Sequence, residues 1–223
     1  MRSIKPGPEP TRYATWRAAS QTDINYGYGL IPGDLKLEIK QALIDEQRGL
    51  CAYTGLAIEA DRSHIEHLLP QAHCRLGEDV DYRNMVACYP APGAAHVPFG
   101  AIRKANWPSP ADRRLFVSPR SEGCESRFFF SIRGKISVAE DDEAARETVK
   151  RLGLDDEKLE RFRKEAIDAT LGTLDIPQAR RRLATLERAE ESGGHLEPFC
   201  FVLKQALHKH IRRLESIRET KKS

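Results

Sequence analysis

Two short segments constrain the fold of this chain more than any others. Ile65-Glu66-His67-Leu68-Leu69 stops at Pro70, and Tyr82-Arg83-Asn84-Met85-Val86-Ala87-Cys88 ends just before Pro90. Residues 50–55 and 63–69 read as two short strands joined by a polar loop, and 81–88 as a short apolar run. Residues 91–98, with Pro and Gly, read as loop, and 99–105 as a short helix closed by Trp107-Pro108. The order is strand, strand, helix.

The flanking sequence reads differently on the two sides. Residues 1–33, rich in Pro and Gly, read as an extended N-terminal arm. The spacing of Leu35, Ile39, Leu43 and Ile44 predicts a helix over 34–48, with Asp34 as N-cap and Gly49 as the stop. Strands are predicted at 116–119 and 127–131, and Gly134-Lys135 as a hairpin turn into 136–138. From Glu143 onward the periodicity is helical, with a break and cap at Leu154-Asp155-Asp156, a boundary at Pro177, a helix over 179–189 and a last helix opened by Pro198. The expected fold class is α+β. Its parts are the arm, a core with an accessory β segment over 34–140, and a helical subdomain over 141–223. Phe199, Val202, Leu203, Leu207, Ile211 and Leu214 make a stripe on the last helix that reads first as core.

The chain has 223 residues, 40% of them hydrophobic, enough for one full core. No apolar run approaches the roughly 20 residues of a membrane span. The N-terminus lacks the apolar region of a signal peptide, so cytoplasmic residence is expected. Five cysteines without a CxxC pair argue against a disulfide framework and against a structural zinc site. The net charge of +3 says little, but its distribution says more. Residues 97–120 carry five bases against one acid and 178–223 eleven against six, while 140–168 carry eleven acids against seven bases. Basic segments of this kind suit a phosphate-binding surface, and equally a solvated helix face.

The chemistry-bearing residues lie in the short segments. Phosphodiester hydrolysis needs a base for the attacking water and a cation for the charge that develops on phosphate and leaving oxygen. A histidine near neutral pKa suits the first task, and a hard ion held by oxygen ligands suits the second. His67 is accordingly assigned as general base and Glu66 as ligand of Mg²⁺ or Mn²⁺. Asn84 is expected to bond across the loop, or to the His67 backbone, and keep the imidazole oriented. For a further metal ligand the candidate is His96, with Asn106 or water as alternatives. Arg103 and Lys104 are candidate contacts to nucleic-acid phosphate. His64, two residues before Glu66, reads first as an exposed histidine and otherwise as a partner of Glu66 on the same strand face.

These motifs resemble the HNH endonuclease family that supplies the nuclease subunit of Septu-type and retron-associated anti-phage systems, the PtuB-like nucleases. The resemblance runs from Met1-Arg2-x-Ile4-x-x-Gly7-x-Glu9-Pro10, through Glu46-Gln47-x-Gly49-Leu50-Cys51-Ala52-Tyr53, Ile65-Glu66-His67 and Tyr82-Arg83-Asn84-Met85, to Glu147-Thr148-Val149-x-x-Leu152-x-Leu154 and Leu159-x-x-x-Arg163. It implies a small ββα-metal core of the HNH, or His-Me finger, type and metal-dependent DNA cleavage in defence. It also implies a partner ATPase of the ABC or SMC-like kind that gates the nuclease, and the arm and the last helices are where its contact is expected. Two departures stand out. Thr54 occupies the place of a second family cysteine, so Cys51 reads as a small buried residue, and the third HNH position is Ala101. The alternatives are an HNH scaffold that binds DNA or the ATPase without cutting, and a stand-alone restriction-type nuclease. Nothing in the sequence separates DNA from RNA as substrate.

Overall fold

In the computed structural model, which describes residues 1–94 and 96–221, the chain is a mixed α+β fold. Ala95, within the expected loop, and Lys222 and Ser223, at the end of the expected helical segment, lie outside the described residues. The predicted arm is not simply extended. Residues Thr11–Ser20 form helix α1, which buries Tyr13, and Met1 and Ile4 are buried as well. The Ile4 amide donates to the Pro119 carbonyl at 2.8 Å, sewing the N-terminal segment onto the chain beyond the site.

Helix α2, Gly33–Glu46, forms where its apolar spacing predicts and buries Leu35, Ile39, Leu43 and Ile44. Pro32, not Asp34, takes its cap position. Asp34 lies in the first turn and pairs at 2.8 Å with Arg12 of α1. Beyond its C-terminal end, Arg48 and Gly49 both take positive φ. The buried Gln47 side chain just beyond α2 then reaches into the sheet. Its amide donates to the Ala87 carbonyl at 2.8 Å and accepts from the Ala87 amide at 2.7 Å.

That contact completes the second edge of a two-stranded sheet. Strand β1, His64–His67, pairs antiparallel with β2, Met85–Cys88, in the register His64 to Cys88 and His67 to Met85. The predicted strand at 50–55 does not form, because Leu50 makes only an isolated bridge to Ala57. The partner of β1 is instead the 81–88 segment, whose first residues coil into a turn at Tyr82–Asn84. The one-turn helix α3, Ala101–Lys104, follows.

Beyond α3, the segment predicted as a strand at 116–119 is irregular. The second hairpin is shorter than predicted, β3 at Phe129–Phe130 with β4 at Ile136–Ser137, and it turns through Gly134. Helices α4 (Glu143–Leu152), α5 (Glu157–Leu171), α6 (Ile176–Glu191) and α7 (Cys200–Thr220) complete the chain. Pro177 sits inside the first turn of α6, where its missing N–H costs nothing, and Asp175 and Gln178 form a capping box around it. Helix α7 packs on α5, α6 and β3 and buries Val202, Leu203, Leu207 and Ile211, so most of its stripe is core. Residues of the arm, the central segment and the C-terminal helices all join one hydrophobic cluster.

Helix α4 also positions α3. The Gly100 amide donates to the Leu152 carbonyl at 2.7 Å, against the C-terminal end of α4. Gly153 caps that end in the left-handed region, and a Cβ there would meet the Pro98 carbonyl and the Arg103 side chain at 2.7 Å. Only glycine permits this approach, so the helical third sets where the last turn before Trp107 lies.

Candidate functional site

The site is built on the loop that connects β1 to β2. His67, the last residue of β1, is buried. Its Nε2 lies 2.8 Å from the Asp79 carbonyl, and its ring meets Tyr28 edge-on, with centroids 4.7 Å apart. A carbonyl only accepts, so the proton of the neutral ring sits on Nε2 and Nδ1 keeps its lone pair. Burial lowers the imidazole below its usual range, and the charge of Lys104 adds to this. The Asp79 carbonyl and the charges of Glu66 and Asp79 oppose without reversing it.

Asn84 fixes the loop. Its Oδ1 accepts from the Leu69 amide at 2.8 Å, and its Nδ2 donates to the carbonyls of Leu69 and Glu78, both at 3.1 Å. Three consecutive carbonyls are thereby held, Glu78 by Asn84, Asp79 by His67, and Val80 by the Tyr13 hydroxyl at 2.6 Å. The Asp79 carboxylate accepts from the Tyr28 amide at 2.7 Å, so the residue that orients His67 also places the ring against it. Asn84 acts across the loop, as its position in the sequence suggests, rather than on the His67 backbone.

Glu66 lies between Lys104 and His64. The Lys104 Nζ lies 2.7 Å from its Oε1 and donates to the His67 carbonyl at 2.8 Å. The Lys104 side chain is 0% exposed and that of Glu66 18%. Lys104 is therefore not on the nucleic-acid-facing surface expected of it, because α3 turns it inward to pair with the carboxylate. The other oxygen of Glu66 lies 3.8 Å from His64 Nε2, while His64 Nδ1 faces the Pro90 carbonyl at 2.5 Å. Burial pulls the His64 proton affinity down, but Glu66 and the Pro90 carbonyl outweigh it and raise it. His64 is thus a partner of Glu66 rather than an exposed hairpin residue.

Glu66 and His67 border a cleft of about 410 Å³ with Tyr28, Gln71 and Asn106. His96 does not join them. It is exposed and lines a neighbouring cleft of about 530 Å³ with Lys36, Lys40 and His64. Arg103 is exposed on α3 with its side chain passing the C-terminal end of α4. Cys51 and Cys88 are buried and free, but Cys51 is not simply apolar: burial raises its thiol, and hydrogen bonds from Cys88, Thr54 and Tyr89 outweigh this and bring it down to about 6. Tyr28, Asp79 and Lys104 in its inward role are the site residues that sequence reasoning misses. Only their approach to β1 in space marks them.

A resident Mg²⁺ or Mn²⁺ needs hard oxygen donors, one or two carboxylates among them. The cleft offers one carboxylate, already paired with an ammonium, and Ala101 brings only a methyl group. Among the described residues no group of three or more His, Cys, Asp and Glu side chains is arranged to hold a metal. A divalent ion at Glu66 would have to displace the Lys104 ammonium from this carboxylate. What the arrangement does supply is an anchored neutral imidazole with one free lone pair at the edge of an open cleft. In comparison with known proteins, the sequence matches no described family and no curated protein.

Proposed function

We propose that this chain is an HNH-type endonuclease that hydrolyses nucleic-acid phosphodiesters, DNA in the first instance, with His67 as general base. The supporting observation is the His67 ring, tied through Nε2 to a carbonyl that Asn84 and Tyr13 hold from either side. In this reading β1, β2 and α3 are the ββα core of an HNH, or His-Me finger, nuclease. A water oxygen attacks phosphorus, its proton passes to His67 Nδ1, and the bond to the leaving oxygen breaks. The neighbouring cleft, with Lys36, Lys40, His64 and His96 on its walls and no carboxylate among its described lining residues, suits the sugar–phosphate backbone. Mg²⁺ or Mn²⁺ enters this reading only for a state in which Lys104 has left Glu66.

The setting in anti-phage defence beside an ABC- or SMC-like ATPase rests on the resemblance of the short motifs alone. With the stripe of α7 in the core and Met1 and Ile4 buried, the surface left for such a partner is the exposed stretch 5–8 and the outer faces of the last helices. No helix among the described residues is long and apolar enough to cross a membrane. One observation favours a second reading, a scaffold that binds nucleic acid or the ATPase without cutting it: the Glu66 carboxylate is already engaged by Lys104.

The test is cleavage of DNA and RNA by the purified chain, with and without the ATPase. His67→Ala should lower the rate by about 10²–10⁴-fold with the circular dichroism spectrum unchanged. Because burial lowers the His67 proton affinity, the acid limb of the wild-type profile should fall below the ordinary imidazole pKa of about 6.5. Wild-type rates from His67→Ala refute the assignment. Absence of cleavage under every condition, with nucleic-acid binding retained, favours the scaffold.

A further inference from the structure

We infer that the Lys104 ammonium is the resident cation of the Glu66 site, so that the Glu66–His67 centre of this chain works without a divalent metal. The inference rests on the nuclease reading above and concerns what sits beside its carboxylate. A fully buried ammonium is tolerated only when paired and hydrogen-bonded. Here its side chain is 0% exposed, with the Glu66 carboxylate at 2.7 Å and the His67 carbonyl at 2.8 Å. Both contacts fall on the two residues that the chemistry uses.

The surroundings hold this cation in place and disfavour another. Helix α3 is one turn long, and its N-terminal amide is bonded to the end of α4 at 2.7 Å. The absent side chain of Gly153 lets the segment before α3 lie flush against that end. Lys104 therefore projects from a turn clamped from behind. One helical turn earlier, Ala101 is buried and brings no donor. The Asn106 carbonyl is taken by His73 Nε2 at 2.9 Å. On the far side of Glu66, the His64 Nε2 stands 3.8 Å from the second carboxylate oxygen. A divalent ion at Glu66 would have to share its one carboxylate with the Lys104 ammonium at 2.7 Å.

Lys104 is thus a positioning residue. It fixes the Glu66 carboxylate and, through the His67 carbonyl, the strand that carries the base, and it does not itself reach substrate. The step balances without a metal. The water oxygen bonds to phosphorus, His67 Nδ1 takes its proton, and the phosphorus–oxygen bond of the leaving group breaks. Solvent protonates the released alkoxide, and His67 returns its proton to solvent.

The decisive measurement uses the full chain uniformly labelled with ¹⁵N, in which both the lysine ammonium and the backbone amide resonances are observed. One slowly exchanging ammonium resonance should be present in wild type, absent in Lys104→Met and shifted in Glu66→Gln. Millimolar Mg²⁺ should not move it, and Mn²⁺ should leave the amide signals of Glu66 and His67 unbroadened. Cleavage, where present, should change by less than about twofold on adding EDTA, since a metal that supplies the nucleophile contributes orders of magnitude. Mn²⁺ broadening at Glu66 that Glu66→Gln abolishes overturns the inference, as does cleavage that requires a divalent ion. The nuclease reading survives both results. A chain that never cleaves sinks the nuclease reading instead, and the wild-type resonances still decide the identity of the cation even if Lys104→Met does not fold.

Discussion

His64, His67, His73 and His210 each set one ring nitrogen against a backbone carbonyl, yet they are not equivalent. What separates His67 from His64 is the other side of the ring. The carboxylate bonded to His64 raises its proton affinity, whereas His67 is buried against Tyr28 with Lys104 nearby, and its affinity falls. Two histidines three residues apart on one strand thus have proton affinities displaced in opposite directions from the ordinary imidazole. The Glu66–Lys104 pair can be weighed directly. Lys104→Met leaves a largely buried carboxylate without its cation and should destabilise the fold by about 3 kcal/mol in urea denaturation. Adding Glu66→Gln should restore part of that loss, and strictly additive effects would mean that the two side chains do not interact. That Glu66, His67 and Asn84 stand together is legible in the sequence because a compact local motif carries all three. The inward turn of Lys104 is not, because the fold brings its partner across 38 positions of sequence. A lysine beside an arginine on a short helix reads as surface charge until its neighbour is known.

At the level of elements, helices with a regular apolar face are the readable ones, α2, α5 and α7 foremost. Helix α1 is hidden because Tyr13 is its one buried residue, and prolines and glycines flank it on both sides. The strand pairing escapes for a different reason. Alternation marks a strand without naming its partner, and the second edge of β2 is filled by the Gln47 side chain rather than by a strand. Helix α4 offers a test of its start. Asp142 caps it by accepting from the Ala145 amide at 2.9 Å and pairs through both oxygens with the Arg127 guanidinium. The Arg127 bond lowers the Asp142 proton affinity, burial opposes, and the cap amide adds to the lowering. The folded pKa is depressed, so this contribution is complete above the ordinary aspartate range and is lost as pH falls through the folded value. Asp142→Ala should cost about 1–2 kcal/mol at neutral pH, the loss of a cap plus a partly screened pair. The difference from wild type should vanish in acid, and a difference that persists there would show that the charge is not its source.

For the whole molecule, the notable feature is that segments from both ends of the chain close on the same core. Ile4 is buried beside the region of Pro119 and Cys124, and Phe201 of α7 lies so close to Gly55 that a Cβ there would approach its ring to 2.6 Å. Ile4→Ala should cost about 2–4 kcal/mol by thermal or urea unfolding, a large fraction of a typical domain's stability. A loss under about 0.5 kcal/mol would mark the N-terminal segment as loosely attached after all. Truncating the arm to probe a partner therefore also tests the fold, and point changes in the exposed stretch 5–8 are the cleaner choice. The closures around the base are of another kind. His67 meets Asp79 across 12 positions and Leu69 meets Asn84 across 15, whereas the ends of the chain meet the core only from far away. Short loops close early and distant contacts late. The cradle of His67 is therefore placed to form while the nascent chain is still short, and the core that makes it permanent can close only after α7 has been synthesised. In the interval between, the imidazole stands on a hairpin that has not yet been tied down.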